Sequence, residues 1–145
     1  IGYPHFEDQV AMLRNRQGAN PLEQVAQVMT KDEVIALQQQ VEQLFIHEAI
    51  LRYVTALTEA TRNHPQLVQG VSPRGAIAVC KLAKAHAFVE GRDFVTPEDV
   101  MAIWLPACAH RITLGNVQPD VNEQTILQQI LQSVATPDKA MLASL

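Results

Sequence analysis

Arg74 is the residue of this 145-residue chain that folding alone explains least. Ser72-Pro73 in front of it is a helix start, with serine as the cap and proline at the first helical position, where its missing N–H costs nothing. An arginine in that first turn faces the positive end of the helix dipole, where a cation costs on the order of a few tenths of a kcal/mol and Asp or Glu is the usual occupant. The placement becomes sensible when an anion is held in front of the helix, because a guanidinium grips phosphate oxygens with two donors while the dipole assists. At 100° per residue, Lys81 falls about 20° and Lys84 about 80° from Arg74 on the wheel, which makes a basic stripe. A solvated cationic face is the ordinary role of such residues, and the bare spacing leaves both readings open.

Other chemistry is sparse. The chain has no G-x-x-x-x-G-K-[ST] phosphate loop, no G-x-G-x-x-G and no G-x-S-x-G, and His47-Glu48-Ala49-Ile50-Leu51 lacks the second histidine of a zinc-binding helix. No two of His5, His47, His64, His86 and His110 stand three or four residues apart, so no helical face offers a metal two imidazoles. His86, between Val79, Leu82 and Val89 on the wheel, reads as a satisfied and largely buried histidine. Cys80 and Cys108 are isolated in apolar stretches and read as reduced core thiols of a cytoplasmic protein. A self-contained active site is not expected.

The elements that must position these residues are helical almost throughout. Pro4 opens a first helix with Phe6, Val10 and Leu13 on one stripe, ended by Gly18 to Pro21. Thr30 and Glu33 form a capping box for a helix with Val34, Leu37, Val41 and Leu44 in register. A helix from about His47 carries Ile50, Leu51, Val54 and Leu57, and stops at Asn63-His64-Pro65. The Ser72 helix reaches Val89, with Gly91 as its left-handed terminator. Thr96-Pro97-Glu98-Asp99 starts the next one with two carboxylates at the positive pole, Pro106 is expected to kink or break it, and Gly115 to Pro119 is a turn. The last helix groups Ile126, Leu127, Ile130, Leu131 and Val134. Extended backbone is expected at Asp93 to Val95 and in the first three residues only. The fold class is therefore all-α, a small bundle of about five to six helices.

Composition agrees with one globular domain: 48% hydrophobic and 18% charged positions in 145 residues. Basic and acidic side chains number five and eight up to residue 70 and six and seven after it, so neither half has the excess positive charge of a nucleic-acid binder. Apolar runs fall far short of the roughly 18 residues that span a membrane. The start at Ile1-Gly2-Tyr3-Pro4, with neither Met nor a charged leader, reads as a cut from a longer protein.

The residues also carry a resemblance. Gly70-Val71-Ser72-Pro73-Arg74-Gly75-Ala76, Ala83-Lys84-Ala85-His86-Ala87, Glu90-Gly91-Arg92-Asp93-Phe94-Val95-Thr96-Pro97-Glu98-Asp99-Val100 and His110-Arg111, in this order, resemble the small helical lid domain of MoxR-type AAA+ ATPases. The lid of the magnesium chelatase ATPase subunit is similar. Ile1 to Pro4 looks like the segment leading from the nucleotide-binding domain into the lid, Ala60-Thr61-Arg62 with His64-Pro65 fits as well, and Ile126 to Pro137 is similar to the closing helix. Gly75 departs mildly, since the family often has alanine there.

The resemblance implies that residues 1–145 are one lid domain, with 1–4 leading in and 135–145 as a tail. It implies an absent N-terminal large domain with the phosphate loop, the Mg²⁺-holding acids and an arginine finger, so that ATP and Mg²⁺ are cofactors of the intact protein and not of this piece. Arg74 then matches the sensor 2 arginine, which reaches the terminal phosphate. A ring, usually a hexamer, and chaperone-like activation of partner proteins, some with von Willebrand factor A-type domains, are implied too, with no nucleic acid and no membrane span. Lys81 and Lys84 have no comparable motif behind them, Gly91 to Asp99 reads as terminator and cap, and His110-Arg111 as cations near a helix end. Without the resemblance, a stand-alone helical module that binds a protein through an apolar groove fits the same residues.

Overall fold

A computed structural model describes residues 2–18, 20–116 and 120–138; the end of the Gly115–Pro119 turn and the last part of the 135–145 tail lie outside these. Six α-helices are present among the described residues, as the helical reading requires: α1 (Phe6–Asn15), α2 (Lys31–Gln43), α3 (Glu48–Arg62), α4 (Pro73–Val89), α5 (Pro97–Cys108) and α6 (Glu123–Ser133). A short ladder of β1 (Leu67–Gln69) and β2 (Thr113–Leu114) joins them. The chain divides into two compact units, residues 1–36 and residues 37–145.

In the first unit, α1 buries no side chain: Phe6 and Leu13 of the expected stripe are exposed. Asn20 Oδ1 accepts from Leu22 N–H at 3.3 Å and opens a 3₁₀ turn over Pro21–Gln24. The Thr30 capping box forms, with the Glu33 carboxylate accepting from Thr30 N–H at 2.7 Å.

The second unit holds the core. Helical spacing brings Ile50, Val54 and Leu57 of α3, Val79, Ala83 and Ala87 of α4, Val100, Trp104 and Cys108 of α5, and Ile126, Leu127 and Ile130 of α6 into one buried cluster. Trp104 is fully buried and donates its indole N–H to Leu127 O at 3.1 Å, which ties α5 to α6. His47 caps α3 through Nδ1, which accepts from Ala49 N–H at 3.0 Å. Gly91 terminates α4 at φ +73°, with Arg92 N–H donating to Ala87 O and Gly91 N–H to Phe88 O in the paired pattern of a left-handed cap.

Two expectations need correction. Pro106 does not break α5, which runs to Cys108 before a 3₁₀ turn over Ala109–Arg111; burial of Trp104, Ala107 and Cys108 around it outweighs the one hydrogen bond that proline forfeits. The antiparallel pairing of Leu67 with Leu114 and Gln69 with Thr113 was not expected, because residues so far apart give no local signal of pairing. Of the first three residues, read as extended, Gly2 and Tyr3 join no regular element and Ile1 lies outside the described residues. Asp93 to Val95 is extended as read: Phe45 N–H donates to Asp93 O at 3.1 Å and Val95 N–H to Phe45 O at 3.0 Å.

Candidate functional site

The site grows from the turn between β1 and α4. Ser72 Oγ accepts from Gly75 N–H at 3.2 Å, so the helix starts where the Ser-Pro pair says it does. The first turn contains no acidic residue. Arg74 is exposed and makes no hydrogen bond or ion pair with any described residue, leaving its guanidinium uncommitted at the positive pole of a 17-residue helix.

Beneath that free tip the backbone is held hard. Val71, three residues before Arg74, is fully buried and both of its backbone polar groups are taken by the end of α3. Its N–H donates to Thr61 Oγ1 at 2.8 Å, and its carbonyl accepts from Arg62 Nε at 2.8 Å. The Thr61 hydroxyl is itself fixed, since it donates to Thr58 O at 2.6 Å. Gly70 lies flat on the same turn, where a Cβ would stand 2.6 Å from Arg62 N and 2.7 Å from Thr61 C. Gly75 performs the matching service below, since a Cβ there would stand 2.5 Å from Val71 Cγ1 and 3.3 Å from Arg111 Cδ. Arg111, half-buried, therefore lies against the first turn of α4, and its guanidinium meets the His110 ring rather than a carboxylate. Its place at a helix's negative pole, expected from spacing, is thus only part of its setting.

The two lysines of the basic stripe part company. Lys81 is exposed, whereas Lys84 Nζ donates to Glu42 O at 2.9 Å, capping a carbonyl in the last turn of α2. Both line a groove of about 540 Å³ with Ile46, Leu51, Ile77 and Cys80.

A second polar cluster surrounds Asp99. Its side chain is fully buried, and its carboxylate accepts from Arg92 Nη1 and Nη2, both at 2.6 Å, and from Thr96 N–H at 2.7 Å. His86 Nδ1 lies 2.7 Å from Asp99 Oδ1. Burial alone would raise the Asp99 pKa, but the Arg92 guanidinium, the Thr96 donors and His86 together outweigh it and hold the carboxyl well below the usual range. His86 is satisfied as expected, though its side chain is a third exposed rather than largely buried. The sequence reads as terminator and cap at Arg92 and Asp99, and gives no signal of their ion pair, seven residues apart across a turn.

The cysteines are free, with Cys108 fully buried and Cys80 partly so. Burial pushes the Cys108 thiol up to about 12, against the opposing charge of Arg111, which makes it a poor nucleophile. Among the described residues no three His, Cys, Asp or Glu side chains gather as a metal site would need, and no helix is long and apolar enough to cross a membrane.

Comparison with known proteins places this geometry. Residues 59–130, from the end of α3 through most of α6, match the AAA lid domain family. YeaC of Bacillus subtilis, an uncharacterised protein, is 31% identical over 94% of this chain. The chaperone MoxR1 of Mycobacterium tuberculosis is 29% identical over 94% of it. The chain spans 43% and 39% of the lengths of these two relatives. The crystal structure of a candidate ATPase from Cytophaga hutchinsonii superposes with a TM-score of 0.82 at 26% identity, over 95% of this chain and 45% of that one. With the Ser-Pro-Arg turn, the glycine terminator and the closing helix all in the matched region or beside it, the chain belongs to the AAA lid domain family, in the form that MoxR-type AAA+ ATPases carry.

Proposed function

We propose that Arg74 is the sensor 2 arginine of this lid, which contacts the terminal phosphate of ATP held by a large nucleotide-binding domain upstream in the intact protein. The observation that carries this reading is the exposed guanidinium on the first turn of α4, where no carboxylate among the described residues neutralises it and the helix end favours an anion. Mg²⁺-ATP, when bound, supplies the phosphoryl group whose transfer to water drives the protein's work. Arg74 would bind and orient phosphate oxygens from the lid side, and α4 would add its dipole. The Mg²⁺ ligands would belong to the upstream domain. The whole chain would serve as lid, with residues 1–4 leading into it from that domain and 135–145 as its tail.

The family supplies the rest of the proposal: a homo-oligomeric ring, usually hexameric, in the cytoplasm, coupling ATP hydrolysis to chaperone-like remodelling or activation of partner proteins, with von Willebrand factor A-type domains among the candidates. The relative named a chaperone supports the general class and leaves the partner open. In the full-length protein, Arg74→Ala is expected to slow ATP hydrolysis on the order of tenfold or more while leaving the lid folded. Steady-state turnover together with nucleotide binding checks this. Unchanged turnover and affinity would refute the assignment.

A further inference from the structure

We propose that Thr61 and Arg62 are positioning residues for Arg74: by holding both backbone polar groups of Val71 they set the point from which the arginine reaches. The inference rests on Arg74 being the phosphate contact proposed above. Val71 is bonded on both sides, through Thr61 Oγ1 at 2.8 Å and Arg62 Nε at 2.8 Å, and is fully buried. Thr61 has no freedom to give, since it is fully buried and its own hydrogen goes to Thr58 O. Gly70 brings the chain so close to the Thr61–Arg62 backbone that no Cβ fits between them.

The expenditure is unusual for a loop. Arg62 is an exposed arginine that commits its Nε to a main-chain carbonyl and forms no ion pair with any described residue. A turn that only had to be capped would need the Ser72 hydroxyl and no more. Instead the end of α3 fixes the chain just before the helix, and Gly75 lets the Val71 side chain seat under the first turn of α4. The result is a rigid base beneath a free guanidinium. An arginine that meets a phosphate across a domain boundary needs that combination, because contacts of this kind are held to within about 0.5 Å of the productive geometry by the groups behind them. Ala60-Thr61-Arg62, which sequence similarity singles out without a role, acquires one.

The test uses the full-length ATPase and compares binding of a non-hydrolysable ATP analogue with binding of ADP, for Thr61→Val, Thr61→Ser, Arg62→Met, Arg74→Ala and the Arg62→Met/Arg74→Ala double variant, alongside thermal unfolding. A contact to the terminal phosphate enters the triphosphate-to-diphosphate affinity ratio, whereas a loss of folded protein lowers both affinities alike. Arg74→Ala should reduce the ratio, and Thr61→Val and Arg62→Met should reduce it in the same direction, by roughly five- to tenfold, as expected for loss of one positioning hydrogen bond. Thr61→Ser should restore it. The double variant should fall no further than Arg74→Ala alone, since both act through one contact. Arg62→Met, at an exposed position, keeps the test open if Thr61→Val fails to fold. A ratio unchanged in Arg74→Ala overturns the phosphate reading itself. A ratio reduced in Arg74→Ala but intact in folded Arg62→Met and Thr61→Val overturns the positioning role alone.

Discussion

α4 and α5 begin with the same device and put it to opposite ends. Ser72-Pro73 opens one and Thr96-Pro97 the other, each with a hydroxyl cap and a proline in the first turn. After Thr96-Pro97 come Glu98 and Asp99, and the Asp99 carboxylate is consumed within the fold by Thr96, Arg92 and His86. After Ser72-Pro73 comes Arg74, which no side chain or backbone group among the described residues consumes. The α5 start is closed: Glu98 stays exposed, but the buried Asp99 carboxylate is paired and directed at holding the turn after α4 against the next helix. The α4 start is open, with a fixed backbone and an unspent cation. Two starts with the same caps therefore differ in whether the charge on the first turn completes the molecule or waits for something outside it.

The widest gap between the two should appear on mutation. Asp99→Ala removes the buried partner of Arg92 and is expected to destabilise the chain by about 3 kcal/mol, at the low end for a broken buried pair because the Arg92 side chain is about a quarter exposed. Arg74→Ala should move stability by less than about 0.5 kcal/mol. Urea unfolding of the two variants side by side measures both, and comparable losses would erase the distinction.

Acid should find the same asymmetry. The folded Asp99 carboxyl titrates below its unfolded value, so the unfolded chain takes up the proton first. The stability it contributes is present above the unfolded value of roughly 4 and is lost progressively as pH falls below that toward the depressed folded value. Midpoints of unfolding followed from pH 6 downward should drop steeply below about pH 4 in the parent chain and more gently in Asp99→Ala. Equal slopes would mean that other carboxylates carry the acid sensitivity.

How much of this contrast was legible beforehand follows from the range of each interaction. Ser72, Thr96, the Thr30–Glu33 box and the Gly91 terminator act on backbone within a few residues, so their types and spacing announce them. Arg74 was visible for the same reason, as a charge of the wrong sign for its place. Thr61 holding Val71 across ten positions, Arg92 reaching Asp99 and Arg111 lying on Gly75 are settled by packing, and residue type gives no address for the partner. The β1–β2 ladder and the persistence of α5 past Pro106 are likewise decisions of the surrounding core.

Gly75 tests the open start from beneath. Alanine is the better helix former by about 1 kcal/mol, yet its Cβ would meet the stiff, fully buried Val71 side chain at 2.5 Å and press on Arg111. Gly75→Ala should therefore be destabilising by about 1 kcal/mol net, the overpacking exceeding the propensity gain. A thermal shift in the opposite direction would mean that Val71 yields and that the base under Arg74 is softer than its hydrogen bonds suggest.

The smallest effect has the most informative sign. Arg74→Glu places an anion where the helix end and the neighbouring Arg62 and Arg111 attract one, so it should stabilise the chain by roughly 0.5 to 1 kcal/mol at low ionic strength. Salt should shrink that gain, because the charges are exposed or half-exposed and screening shortens their reach to about 10 Å near 0.1 M. A structural arginine would show the reverse, since its replacement by an acid would break whatever it held. Chemical unfolding of Arg74→Glu at low and high salt separates the two cases by the direction of the shift alone. A gain in stability on reversing the charge would identify Arg74 as a residue kept against the preference of its own helix, which is how a contact reserved for an anion outside the fold should behave.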